Sequence, residues 1–98
     1  MSQGPEKRIE NKIKQYLDNI GAWHIKTHGS MFSKAGTPDI IACVNGWFVA
    51  IEVKRPDGGV VSELQKYHID AIRKAGGVAF VACSVLEVQR YLKEQSII

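Results

Sequence analysis

Three residues of the 98-residue chain could together carry metal-dependent chemistry, namely Asp39, Glu52 and Lys54. Each acidic residue lies in or next to an apolar run, where an uncompensated carboxylate is costly. A divalent cation with oxygen ligands can compensate two neighbouring carboxylates, and it can also activate a bound water molecule. The ammonium of Lys54 would add positive charge where a transition state needs it. These residue types therefore predict metal-assisted hydrolysis.

The distance between the two carboxylates depends on the hairpin that joins them. Asn45 and Gly46 are a dipeptide typical of two-residue hairpin turns. With such a turn, Asp39 lies directly opposite Glu52 on one face of the sheet, and the Cβ atoms of such partners are roughly 4.5–5.5 Å apart. A longer turn would shift this register.

Lys54 follows Glu52 by two residues, so both side chains project to the same face, whereas Val53 points into the other layer. Two simpler interpretations stay open from the residues alone. The charges of Glu52 and Lys54 could be solvated at a strand end, or Lys54 could form a salt bridge with one carboxylate. The second interpretation leaves the other carboxylate without a partner, so the facing pair favours a cation site.

The spacing of apolar residues predicts one α/β domain, residues 1–98, with a central mixed sheet flanked by helices. The predicted elements are, in order, a helix from Pro5 to about Gly21, strands over 22–27, 39–44 and 47–54, a helix from Ser62 to about Gly76, a strand over 78–83 and a helix from Ser84 to about Glu94. Both hairpin strands are apolar on their two faces, which predicts a hairpin covered on each side. A loop over 28–38 is long for so small a domain, and long loops are often functional.

Two further polar residues could reach the site from helices. Glu10 lies at the edge of the first helix's apolar stripe, from where its carboxylate can reach the margin of the packed face. Its alternative role is that of a solvated acid favoured by the helix dipole. Gln65 follows Ser62 by three residues, so it could line the site or complete a capping box.

The charge balance permits a nucleic-acid partner but does not require one. Thirteen Lys and Arg against ten Asp and Glu give a net charge of +3, and the pI is near 9.0. If Glu10, Asp39 and Glu52 hold cations, only seven acids remain against the thirteen bases. A hydrophobic content of 45% with three prolines excludes disordered and collagen-like chains.

The two cysteines, Cys43 and Cys83, lie within apolar runs, which predicts buried, reduced thiols. Two cysteines do not suffice for a four-cysteine zinc site or a disulfide scaffold. The polar N-terminus does not resemble a signal peptide, and the apolar runs are far shorter than the roughly 20 residues of a membrane span. We therefore expect an intracellular, cytoplasmic protein with no membrane contact.

The segment from residue 36 to residue 65 resembles a known nuclease family. It contains Gly-Thr-Pro-Asp at 36–39, an apolar strand, Glu-Val-Lys at 52–54 and Ser-Glu-Leu-Gln at 62–65. This order resembles the virus-type replication–repair nuclease (VRR-NUC) family of the PD-(D/E)xK superfamily, in its stand-alone bacterial and phage form. The flanking elements extend the resemblance over nearly the whole chain. It implies a restriction-endonuclease-like core and divalent-metal-dependent hydrolysis of DNA phosphodiester bonds.

The resemblance also implies roles for individual residues. Asp39 and Glu52 would bind Mg²⁺ or Mn²⁺ through their carboxylates, and the backbone carbonyl of Val53 would be a further ligand. Lys54 would orient or activate the attacking water. The resemblance matches Glu10 to an acidic residue that the first helix of many family members contributes to the metal site.

Gln65 would line the catalytic site from the second helix. Lys34, in the long loop, Arg55, beside the site, and His28, where the loop starts, are candidate contacts for DNA phosphates. For each of these three basic residues, an ordinary surface position is the alternative.

The resemblance further implies a homodimer that cuts four-way DNA junctions, since symmetric cuts on two strands need two sites related by a two-fold axis. It implies no small-molecule cofactor, and a bacterial or phage-infected cell as the setting. Two other hypotheses stay open, a nuclease that cuts linear or flapped DNA and a non-catalytic DNA-binding module that keeps the nuclease fold.

Overall fold

The computed structural model describes residues 4–27, 34–57 and 59–98. Helix α1 spans Pro5–Asn19 and starts with proline in its first turn, where a missing N–H costs nothing. Ile13 and Leu17 are completely buried along its inner stripe. The chain leaves the helix through Gly21, whose φ of +76° suits glycine.

A three-strand antiparallel segment follows, with β1 over Trp23–Lys26, β2 over Ile40–Val44 and β3 over Trp47–Val53. Asn45 and Gly46 both have positive φ, 50° and 85°, as a type I′ turn requires. Val44 therefore pairs with Trp47 and Ile40 with Ile51. This is the register expected from the Asn-Gly dipeptide.

Helix α2 spans Glu63–Lys74 and begins with a complete capping box, in which Ser62 and Gln65 bond to each other's backbone N–H. Strand β4 covers Val78–Ala82 and pairs in parallel with β3. Helix α3 spans Val85–Glu94, and the hydroxyl of Ser84 accepts a hydrogen bond at its start. The sheet order is β1-β2-β3-β4, so the mixed sheet and the predicted element order are confirmed.

One face of the sheet carries the main core, which α1 and α3 cover. Its sheet residues include Ile40, Ile51 and Val53, all at most 2% exposed. Ile97, the last residue but one, joins this core, and the side-chain amide of Asn45 donates a 2.7 Å hydrogen bond to its carbonyl. No helix among the described residues is long and apolar enough to cross a membrane.

The opposite face is only half covered, which corrects the expectation of a hairpin covered on both sides. Helix α2 packs on β3 and β4 through a small cluster around Ile69. Toward β1 and β2 the same face leaves Trp23, Ile25 and Phe48 exposed by 60%, 46% and 47%. Cys43 is exposed there as well, so its predicted burial is wrong. We call these four residues the open sheet face.

Candidate active site

The hairpin brings Asp39 and Glu52 together as its register predicts. Asp39 directly precedes β2, one step beyond the Ile40–Ile51 pair, and therefore faces Glu52 of β3. One of its carboxylate oxygens, Oδ2, accepts a hydrogen bond from the Val53 N–H at 2.7 Å. Its position at the end of the hairpin is therefore fixed by the backbone of the neighbouring strand.

A second set of contacts fixes Asp39 from the side of β1. The backbone carbonyl of Asp39 accepts a 2.9 Å hydrogen bond from the Thr27 N–H, and the Thr27 hydroxyl donates to the carbonyl of Pro38 at 2.5 Å. Thr27 is buried. No sequence pattern indicated this residue, because its partners are backbone atoms eleven and twelve positions away.

Glu52 is 2% exposed, and its two oxygens have different surroundings. Oε2 accepts a 3.0 Å hydrogen bond from the amide of Gln65 and lies 3.4 Å from the Lys54 ammonium. Oε1 is buried and has no hydrogen-bond partner among the described residues. A buried carboxylate oxygen without a donor is costly, so this atom points to a missing cation or proton.

The electrostatics of Glu52 agree with this interpretation. Burial, followed by the nearby carboxylate of Asp39, raises the pKa of Glu52 to about 8, and the ammonium of Lys54 only partly opposes the shift. Two carboxylates this close cannot both ionise easily without a positive partner. With no metal ion bound, the raised pKa favours the protonated form of Glu52 near neutral pH.

Gln65 fulfils both of the roles considered for it. Its side-chain oxygen accepts the hydrogen bond of the Ser62 N–H that completes the capping box, at 2.8 Å. Its side-chain nitrogen donates to Glu52 Oε2. The start of α2 therefore orients the carboxylate, and the helix and the site are coupled through one amide.

These groups face an open cavity of about 410 Å³, here called the carboxylate cleft. Its lining includes Thr27, Lys34, Asp39, Glu52, Lys54 and Gln65, with Glu6 of α1 also contributing. Lys34 lines the cleft and Arg55 is exposed one residue beyond Lys54, and the phosphate contacts of both stay predictions. His28 lies outside the described residues. Glu6, exposed in the first turn of α1, was missed because it lies off the helix's apolar stripe.

The donor atoms of this cleft fit a hard divalent cation. Asp39 and Glu52 supply carboxylate oxygens, and Oε1 of Glu52 is available for a ligand. Within the described ranges, no group of three or more His, Cys, Asp or Glu side chains gathers at one point. A set of two carboxylates suits Mg²⁺, which usually keeps several waters and takes further oxygens from substrate phosphates. The backbone carbonyl of Val53 stays a predicted metal ligand. The backbone N–H of the same residue donates to the carboxylate of Asp39.

Glu10 lies on the other side of Asp39 and has a different environment. Its Oε2 lies 3.0, 3.3 and 3.4 Å from the ammonium groups of Lys7, Lys14 and Lys26. Burial alone would raise the pKa of Glu10, but the hydrogen bonds from Lys7 and Lys14 and the charge of Lys26 hold it below its ordinary value. The side chain is therefore an ionised anchor for three cations.

Lys54, which directly follows β3, completes the set of polar residues around the carboxylate cleft. Its side chain is 14% exposed, and its nitrogen lies 3.4 Å from Glu52 Oε2. The ammonium is therefore fixed beside the carboxylate pair while it still lines the cleft. A bound metal ion would polarise a phosphoryl oxygen and lower the pKa of a bound water, and Lys54 would add fixed positive charge there.

Comparisons with known proteins agree with this fold. A solved structure described as "VRR_NUC domain" superposes with a TM-score of 0.78 and 23% identity, covering 93% of this chain and 97% of that chain. A second, "VRR_NUC domain protein", gives 0.70 and 20%, covering 96% and 89%. The expected nuclease fold is confirmed. No curated protein matches the chain. A family model described as archaeal Holliday junction resolvase (Hjc) matches residues 2–96, and the chain therefore belongs to this PD-(D/E)xK-type nuclease family.

Proposed function

We propose that the chain is a divalent-metal-dependent endonuclease that hydrolyses phosphodiester bonds in branched DNA, in particular four-way junctions, as a homodimer. The observation that carries the proposal is the buried, unpartnered Oε1 of Glu52, which lies beside Asp39 in an open cleft of the described residues. A merely structural role does not explain a buried Glu52 carboxylate that faces a second carboxylate, that of Asp39.

Each residue of the site has a separate role in the proposed reaction. Asp39 and Glu52 hold Mg²⁺ or Mn²⁺, and Gln65 keeps the Glu52 carboxylate in the required orientation. Lys54 places its ammonium beside the reacting phosphate, where negative charge increases in the transition state. The cleft is open to solvent, so water can enter as the nucleophile.

Cleavage assays test the metal-dependent step. Glu52→Gln and Asp39→Asn keep the size of each side chain and remove a charged ligand, so we expect cleavage in Mg²⁺ or Mn²⁺ to fall by at least about 10²-fold, as EDTA would also cause. Lys54→Met is expected to reduce cleavage by a similar factor. Glu63→Gln is the matched control, because Glu63 is exposed on the same helix as Gln65. Full activity of Glu52→Gln would contradict the proposal.

The substrate is identified by comparing a four-way junction with linear and flapped DNA of matched sequence. Membership of the Hjc family supports the junction. Equal rates on linear and branched DNA would favour a nuclease without junction specificity. DNA binding with no turnover in either metal would favour a non-catalytic module, an alternative that leaves the Glu52 oxygen, unpartnered among the described residues, without an explanation.

The homodimer is supported by chemistry and by the exposed surface. A junction resolved by symmetric cuts needs two active sites related by a two-fold axis, and the described part of each chain carries one carboxylate cleft. The open sheet face presents large apolar side chains, including the exposed indole of Trp23. We propose that a second copy of the chain covers this face.

A further inference from the structure

The open sheet face and the carboxylate cleft lie on the same side of the sheet. Trp23 of β1, Cys43 of β2 and Phe48 of β3 are neighbours in the strand register, and they form one row across the sheet. Thr27 lines the carboxylate cleft four residues beyond Trp23, so its side chain points to the same side, roughly 13 Å along the strand direction. The row therefore marks one end of this side, and the carboxylate cleft marks the other.

Helix α2 runs between these two ends over one half of the sheet. Near its start, the amide of Gln65 donates to Glu52 in the carboxylate cleft. Near its end, Ile72 and Ala75 line an apolar cavity of about 320 Å³ together with Phe48. The helix packs on β3 and β4, and no helix of the described residues packs on β1 and β2 from this side. Two strands span about 10 Å, the diameter of one helix, so the open half has room for one more helix beside α2.

The flank of α2 that borders this open half is exposed and largely apolar. Four residues follow each other at steps of four, three and four and share the flank: Leu64, His68, Ala71 and Ala75. Leu64 lies against Gly36 in the loop before β2, which places the flank on the side of the open half. Leu64 is 46% exposed and both alanines are exposed. The same spacing brings two parallel helices together in a coiled-coil seam.

The half-covered sheet restricts how two copies can stack. A two-fold axis parallel to the strands exchanges the two halves of the sheet, so α2 of each copy enters the open half of the other. An axis across the strands returns each half onto itself, so the two α2 helices would meet and hold the open sheet faces apart. Of these two arrangements, only the first covers the exposed apolar side chains of both copies.

The apolar area agrees with a second copy as the occupant. Five large side chains border the contact, with exposed fractions of 60%, 46%, 47%, 46% and 64%: Trp23, Ile25, Phe48, Leu64 and Tyr67. Together they expose on the order of 500 Å² of side chain. A stable interface buries roughly 800 Å² on each partner, so these five residues supply more than half of the area that a dimer needs.

We propose that α2 of a second copy lies in the open half of the sheet, parallel to α2 of the first copy, about a two-fold axis parallel to the strands. This inference rests on the proposed function, because it takes the homodimer as given, and it adds the element that fills the open sheet face. Since the two helices are parallel, both begin at the same end of the dimer, where each Gln65 contacts its Glu52. The two carboxylate clefts therefore lie at one end and face one DNA junction from the same side.

Cysteine cross-linking tests the arrangement without DNA or metal. In a parallel pair of helices a seam residue faces its own copy, so Ala71→Cys should be joined to itself by a short bismaleimide in a Cys43→Ser, Cys83→Ser background. Asp70→Cys is the matched control, because Asp70 is exposed on the other flank and lines a cavity with Val81 of β4. We expect at least about tenfold more cross-linked dimer from Ala71→Cys, since neighbouring thiols have a high effective concentration. A yield no higher than that of Asp70→Cys would overturn the proposal.

Charges placed at the same position give a second measurement. Ala71→Lys and Ala71→Glu each bring two like charges together at the seam, so each variant alone should be monomeric by light scattering. An equimolar mixture should restore the dimer, because each pair then joins opposite charges. Ala71 is exposed, so neither substitution disturbs the core of one chain, and thermal unfolding confirms that both variants fold. A dimer of either variant alone would show that Ala71 does not face its own copy, as would a mixture that stays monomeric.

The two proposals can fail separately. If cleavage depends on Glu52 but Ala71→Cys cross-links no better than Asp70→Cys, the nuclease function stands and the parallel arrangement of α2 is wrong. If Ala71→Cys cross-links as expected while the wild type cleaves no DNA in either metal, the arrangement stands and the nuclease proposal is wrong.

Discussion

The surroundings of Glu52 favour two states of its carboxylate, one protonated and one bound to a divalent cation. Its Oε2 is held by Gln65 and Lys54, whereas its Oε1 has no partner among the described residues. The facing Asp39 raises the cost of a second negative charge. The carboxylate is therefore stable when it binds a proton or a divalent cation, and it is destabilising when it is ionised and bare.

This environment predicts that the difference in stability between Glu52→Gln and the wild type depends on pH. Folding raises the pKa of Glu52 from an ordinary 4.5 to about 8, so the unfolded state releases a proton between these values that the folded state retains. The resulting cost to stability is absent below pH 4.5, grows as pH rises and is complete above pH 8. Glu52→Gln removes this cost. In EDTA we expect this variant to exceed the wild type in Tm at about pH 8.5, with the difference much smaller at about pH 5.

The exposed Glu63→Gln serves as the control in those melting experiments, with no pH-dependent difference expected. Added Mg²⁺ should raise the Tm of the wild type at about pH 8.5, because the cation compensates both carboxylates, and should leave Glu52→Gln nearly unchanged. A Tm difference that is the same at about pH 5 and about pH 8.5 would show that Glu52 is not the group responsible.

At the scale of single residues, the sequence predicted the contacts that follow from local spacing and turn type. Asp39 and Glu52 could be placed opposite each other because Asn45 and Gly46 determine the hairpin register. The three lysines around Glu10 could not be predicted in the same way. Lys26 reaches Glu10 only through the packing of β1 beside α1, and no local spacing encodes that contact.

At the scale of elements, the site depends on how α2 meets the loop before β2. Gly36 lies in this loop with a φ of +83°, and a Cβ there would lie 2.6 Å from Cγ and 2.9 Å from the backbone carbon of Leu64. Leu64 precedes Gln65, and Gly36 precedes Asp39 by three residues. This close approach therefore connects the two segments that carry site residues.

The contact predicts that Gly36→Ala impairs both stability and cleavage. The new methyl group would clash with Leu64 in addition to the left-handed backbone strain, so we expect a decrease of about 2–4 kcal/mol in the free energy of unfolding. Displacement of Asp39 or Gln65 should lower cleavage by at least about tenfold, since small misplacements in an active site are costly. Chemical denaturation and single-turnover cleavage measure the two effects.

The substitution Gly46→Ala separates the effect of backbone strain from the effect of a steric clash. Gly46 has nearly the same φ, +85°, but no heavy atom of the described residues lies within 4 Å of a Cβ placed on it. This variant should be destabilised by only about 1 kcal/mol, the cost of a left-handed conformation for a residue with a side chain, and should keep full cleavage activity. Equal effects of the two substitutions would mean that the Leu64 contact does not position the site.

The seven elements of the described ranges were predictable from caps, turns and periodicity, and their bounds agree with the structure to within a few residues. The covering of the sheet was not predictable from the same rules. Apolar residues on both faces of the hairpin indicate burial on both faces, but they do not reveal whether a helix of the same chain provides it. Helix α2 covers β3 and β4, and the face of β1 carries Trp23 and Ile25 in the open.

At the scale of the molecule, the three helices of the described ranges are too few to cover both sides of a four-stranded sheet. Helices α1 and α3 cover one side, and α2 covers half of the other. Trp23, Ile25 and Phe48 together expose on the order of 300 Å² of side chain on the uncovered half. That is more than a third of the roughly 800 Å² that each partner buries in a stable interface. Neighbouring residues could supply the rest.

The open sheet face predicts the oligomeric state and its consequence for cleavage. We expect light scattering to give twice the chain mass of 10.9 kDa for the wild type, and the mass of a single chain for Trp23→Lys and Phe48→Lys, because a buried lysine without a partner is costly. Those variants should nick a junction once without making paired cuts. Leu86→Lys, which replaces an exposed apolar residue of α3 on the other side of the sheet, should remain dimeric. A wild-type monomer that still makes paired cuts would show that two-fold pairing through this face is not how the two strands are cut.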